Sequence, residues 1–113
     1  MTKTFTTAAS TQALPIEEKI DRLMEALPQP LQGVMVDYLD HGRIIGESHR
    51  AARSYAALRC DQEEFIRADH YFGGLKERVL AEAQEMARTW RSLGAEDAVG
   101  SLFVSLVSDT MEA

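Results

Sequence analysis

Cysteine is nearly absent from this chain: Cys60 stands alone. It has no partner for an internal bridge, so nothing in the fold depends on disulfides, and a single thiol fits a reducing compartment. Long apolar runs are missing too. The strongest, SLFVSLV near the C-terminus, is broken by serines and falls far short of the ~20 residues that span a bilayer, so no membrane insertion is expected. The opening residues, MTKTFTTAASTQAL, lack the apolar stretch of a secretory signal, which leaves the cytoplasm as the expected location. Basic side chains are outnumbered, twelve against eighteen acidic, giving a formal charge of -6. That balance opposes the phosphate backbone that dominates nucleic-acid affinity, and no direct nucleic-acid binding is expected.

What the chain does have is apolar residues in steps of three and four, the period of a helix, with no sustained alternation that would signal a strand. The longest such pattern runs from Asp61 to Leu93, with Phe65, Ala68, Phe72, Leu75, Val79, Ala83, Met86, Trp90 and Leu93 on one stripe. Asp61 and Glu64 form a capping box at its start, and Gly94 ends it. A first helix is predicted over Pro15–Leu27, burying Ile16, Ile20, Leu23, Met24 and Leu27. Pro28 and Pro30 stop it. A second long helix, Leu31–Arg59, carries a seam at Leu31, Met35, Tyr38, Gly42, Ile45, His49, Ala52 and Ala56, whose spacing of four and three is that of a supercoiled pair. Gly42 and Gly46 predict a close crossing or a kink, and Gly73 with Gly74 a second place to bend. The last helix spans Ala95–Met111. These elements predict an all-α fold: a small helical bundle of about four helices with two long central ones, over residues 13–113, behind a flexible N-terminal tail at residues 1–12.

Chemistry is sparse by comparison. Asp37, Asp40, His41, Glu47 and His49 share one helix, but the Glu-x-x-His pairs of a di-metal bundle occur nowhere, so no metal is expected. His70 stands beside Asp69 with no nucleophile near it in sequence, and Cys60 lies between Arg59 and Asp61, whose charges oppose. No catalytic residue and no cofactor are assigned, and the chain is not expected to be an enzyme. His49, on the seam, is expected to be hydrogen-bonded.

The pattern points instead to a module that binds other proteins. Its length, its acidity, its polar leading tail and the run DHGRIIGESHRAARSYAALRCDQEEFIRADHYF together resemble the QslA-type antiactivators, small bacterial proteins of quorum sensing. The resemblance implies an inhibitor that contacts the ligand-binding domain of a LuxR-type transcriptional regulator and blocks its dimerisation and DNA binding. The alternative is a helical chaperone or adaptor that holds an amphipathic segment of a partner in secretion or assembly. Either reading needs an apolar face. Val99, Leu102, Phe103, Leu106 and Val107 have the i, i+3, i+4, i+7 spacing of a helix that lies in a partner's groove, and equally that of a core helix. Tyr71, Phe72 and Leu75 are the second candidate surface. The long seams also predict a homodimer.

Overall fold

The computed structural model describes residues 14–112, among which there are four α-helices and no strand. The expected flexible tail at residues 1–12 lies outside the described residues. In chain order the helices are α1 (Ile16–Ala26), α2 (Gln29–Leu58), α3 (Gln62–Ser92) and α4 (Asp97–Glu112). The all-α bundle with two long helices is as the apolar spacing predicts. One boundary moves for a clear reason: α2 takes Pro30 into its first turn, where a backbone N–H has no intrahelical acceptor and its loss costs nothing. Gln32 then reaches back, its Nε2 donating to the carbonyls of Met24 and Leu27 at 2.8 and 2.9 Å. Those are among the acceptors that the end of α1 leaves open.

Both reversals between the later helices use the same device. After α3, Gly94 takes φ +101°, its N–H bonding to the Arg91 carbonyl while the Ala95 N–H returns to Trp90; this is the Schellman pattern. After α2 the same pair of bonds runs from Cys60 to Ala57 and from Asp61 to Ala56, but the left-handed residue, at φ +53°, is Cys60. Asp61 completes that turn and at once opens α3, its Oδ1 accepting the Glu64 N–H at 3.0 Å. The first half of the predicted capping box is thus in place.

The core is assembled around α4, which lies between α1 on one side and the α2–α3 hairpin on the other. Val99, Leu102, Phe103, Leu106, Val107 and Met111 are all buried. They meet Leu23 and Leu27 of α1, Met35, Leu39 and Ile45 of α2, and Val79, Ala83 and Trp90 of α3. Trp90 and Phe103 have ring centroids 4.6 Å apart, and the edge of Tyr38 meets Phe103 at 5.8 Å. The Trp90 N–H has no acceptor among the described residues, so ring packing holds the indole in place. Two members of the predicted faces are exposed: Leu93 in the turn after α3 and Met24 at the margin of α1.

α2 does not kink at its glycines; it uses them for a close approach. A Cβ at Gly46 would sit 2.5 Å from the Met111 carbonyl oxygen, and one at Gly42 would sit 2.8 Å from Thr110 Oγ1. At Gly74 on α3 a Cβ would meet nothing within 4 Å, and α3 runs through the Gly73–Gly74 pair as continuous helix. Opposite outcomes are expected for the same substitution. Gly74→Ala should stabilise by up to ~1 kcal/mol, the helix-propensity gain. Gly46→Ala should lose about 1–2 kcal/mol net, because overpacking against backbone outweighs that gain. Urea denaturation of the two variants tests this, and equal midpoints would show that the end of α4 moves aside freely.

Candidate functional site

The molecule measures 55 × 24 × 23 Å, and helix lengths explain the shape. At 1.5 Å per residue α2 and α3 each run about 45 Å, whereas α4 runs about 24 Å. Gly94 sends α4 straight back along the C-terminal half of α3, where Gly100 abuts Ala87. It ends with Met111 against Gly46 and with Glu112 paired to Lys76 at 3.2 Å. Beyond that point the hairpin, residues 47–75, projects as an arm of two helices that no third helix among the described residues accompanies, with Phe72 and Leu75 at its base packed against the bundle core.

The interior of the arm is thin. Ala56 and Ala68 are buried and Ala52 is half-buried, so it lacks the large aliphatic contacts of the bundle. A polar clasp supplements them. Asp69 Oδ1 lies 2.7 Å from His49 Nε2 and 3.1 Å from Arg53 Nε. The His49 ring stacks on Phe72, with centroids 5.4 Å apart, and the Arg53 guanidinium lies 4.9 Å above the Phe65 ring. His49 is hydrogen-bonded on the seam, as expected. Asp69 thus ties two side chains of α2 to α3, while Arg43, Arg67 and Arg88 pair within their own helices.

The arm carries exposed apolar side chains: Tyr55, Leu58, Ile66 and Tyr71 are all more than half exposed, Leu58 at 85%, and Ile44, also more than half exposed, lies just before it. Of the surface candidates named from sequence, Tyr71 is exposed, while Phe72 and Leu75 are half-buried beneath it. The other set must be corrected. Val99, Leu102, Phe103, Leu106 and Val107 are at most 5% exposed, because α1 and the hairpin cover α4 from both sides. They are the chain's own core and offer nothing to a partner.

The polar face of α4 is partly covered by α1, which sequence periodicity did not reveal. Lys19 of α1, 1% exposed, bonds through Nζ to Asp109 Oδ2 at 2.5 Å and Ser105 Oγ at 2.9 Å. A signal existed in its position, since Lys19 falls between Ile16 and Leu23 on the arc that α1 buries. The groove beside this pair, about 870 Å³, is lined by Arg88, Arg91, Ser101, Ser105 and Asp109 among others. Its lining contains no histidine or cysteine. Among the described residues no cluster of three potential metal ligands exists, and no helix is long and apolar enough to cross a membrane.

Comparison with protein-family models, with curated proteins and with solved structures finds no match.

Proposed function

We propose that this protein is an antiactivator that acts by contact: it binds the ligand-binding domain of a LuxR-type transcriptional regulator in the cytoplasm and blocks its dimerisation and DNA binding. The observation that supports this reading is the arm, where Tyr71 and Ile66 lie exposed on a projecting pair of helices that the other two described helices do not reach. With the α4 face committed to the core, the regulator contact moves to Tyr71, Phe72 and Leu75. Aromatic residues on an otherwise polar surface are the usual anchors of such contacts. A homodimer is part of the proposal, each copy presenting one arm. Neither cofactor nor turnover enters the mechanism, and the acidic protein itself stays off DNA.

Tyr71→Asp is the direct test. The side chain is 62% exposed, so the helical circular-dichroism spectrum should be unchanged. Release of the regulator from its operator should require at least ~10-fold more inhibitor, as for loss of an interface anchor. Inhibition at wild-type levels would remove Tyr71 from the contact. A wild-type protein that leaves regulator dimers intact at saturation would defeat the mechanism, and stable capture of an amphipathic segment of a secreted protein would favour the chaperone reading.

A further inference from the structure

α2 is apolar on two faces, about 130° apart around the helix. One is the seam already described. The other consists of Ile44, Ser48, Ala51, Tyr55 and Leu58, all exposed and spaced four, three, four and three residues apart. At 100° per residue these five fall within an arc of about 80°, a stripe of two heptads whose own side chains are uncharged; the Arg59 guanidinium borders it, 5.4 Å from the Tyr55 ring centroid and donating to the Tyr55 hydroxyl at 2.9 Å. In a chain that is 27% charged, five exposed uncharged positions at heptad spacing have the pattern of a helix seam.

We propose that this stripe is the seam between two copies of the chain, packed as antiparallel α2 helices about a two-fold axis near Arg53. The proposal deepens the homodimer part of the functional reading and does not depend on the regulator. Self-complementarity identifies the occupant. In antiparallel register about residue 53, Ser48 faces Leu58 of the partner subunit and Ala51 faces Tyr55 of the partner subunit. The two-fold repeats both pairs in reverse, so Tyr55 and Leu58 each meet a small side chain, as an isologous interface requires, while Ile44 lies beyond the paired span. Ala51, with Tyr55 the stripe position nearest the axis, is small and uncharged, so the helices can approach closely at that level. Arg53, level with the axis, points inward to Asp69 and Phe65 and keeps its charge out of the seam. Two copies each carrying -6 repel one another, and this stripe lets them meet without apposing that charge. Pairing also adds helices to the alanine-lined arm, which has little apolar interior of its own. The seam is about 22 Å long and smaller than a standard interface of ~800 Å² per partner, so association is expected over the micromolar range and not as an obligate dimer.

Sedimentation equilibrium of the full chain, wild type against Ala51→Arg and Tyr55→Glu, tests the seam. Wild type should approach twice 12.6 kDa as its concentration rises. Either variant alone should weaken the dimer at least ~10-fold, since each buries an unpaired charge, with unchanged helical circular dichroism because both positions are exposed. An equimolar mixture of the two should recover the dimer, because one of the two Ala51–Tyr55 contacts then pairs opposite charges and the other is wild type. Persistence of the dimer in Ala51→Arg, a mixture that stays monomeric, or a monomeric wild type would each overturn the proposal. A monomeric wild type whose binding to the regulator's ligand-binding domain is lost in Ala51→Arg would give the stripe to the regulator, overturning this seam while leaving the antiactivator reading standing.

Discussion

Phe103→Ala should cost about 3–5 kcal/mol of folding stability, the range for removing a buried aromatic ring from a core. Phe103 is 0% exposed, at the point where α4 meets Trp90 of α3 and Tyr38 of α2. Its truncation leaves a cavity bounded by two other rings, which are too stiff to close over it. Against a total stability of about 5–15 kcal/mol for a domain, the variant should unfold at much lower denaturant and lose helix signal at moderate temperature. Had α4 been a free partner-binding face, the same change would have removed binding and left the fold untouched. Equilibrium urea unfolding followed by circular dichroism separates the two outcomes. A midpoint shift worth less than about 1 kcal/mol would mean that α4 is not held in the core as described.

Asp109→Ala should be the most damaging polar change, at about 3 kcal/mol, the lower end of the range for stranding one member of a buried ion pair. The lower end applies because the Asp109 side chain is 36% exposed whereas Lys19 is 1% exposed. Without the carboxylate, the Lys19 ammonium keeps only the Ser105 hydroxyl as an acceptor among the described residues. The reciprocal change should be mild. Lys19→Met keeps the apolar stem that packs on α4 and leaves Asp109 to hydrate through its exposed side, for a cost below about 1 kcal/mol. The ordering of the pair is the measurement: Lys19→Met as destabilising as Asp109→Ala would show that the salt bridge itself, and not the stranded ammonium, carries the energy. Because α1 packs chiefly on α4, the damage in Asp109→Ala should also raise amide exchange in Ile16–Ala26 ahead of the hairpin.

Helix number, type and approximate ends were legible in the sequence because they depend on local chemistry: apolar steps of three and four, Pro28 and Pro30, the Asp61 cap, and Gly94. The projecting arm was nearly legible too. A helix joined to α3 by so short a reversal has to run back along the near half of α3, and one of about 24 Å cannot cover a hairpin of about 45 Å. The second stripe of α2, from Ile44 to Leu58, was also written there, but overshadowed by the stronger seam about a third of a turn away.

Only the tertiary structure decided what covers each face. Val99, Leu102, Phe103, Leu106 and Val107 have one spacing whether they meet their own chain or another, because periodicity reports which side chains avoid water and not which surface excludes it. The same holds for Lys19, an ordinary surface residue by type, which is buried because Ser105 and Asp109, one turn apart on α4 and 86 and 90 residues away in sequence, arrive to accept its protons. It holds again for Tyr71 and Phe72, adjacent in sequence and about 100° apart around α3, so that one is exposed and the other stacks on His49. Local pattern determined the helices and their apolar arcs; the pairing of those arcs depends on contacts between residues far apart in the chain, which only the folded arrangement brings together.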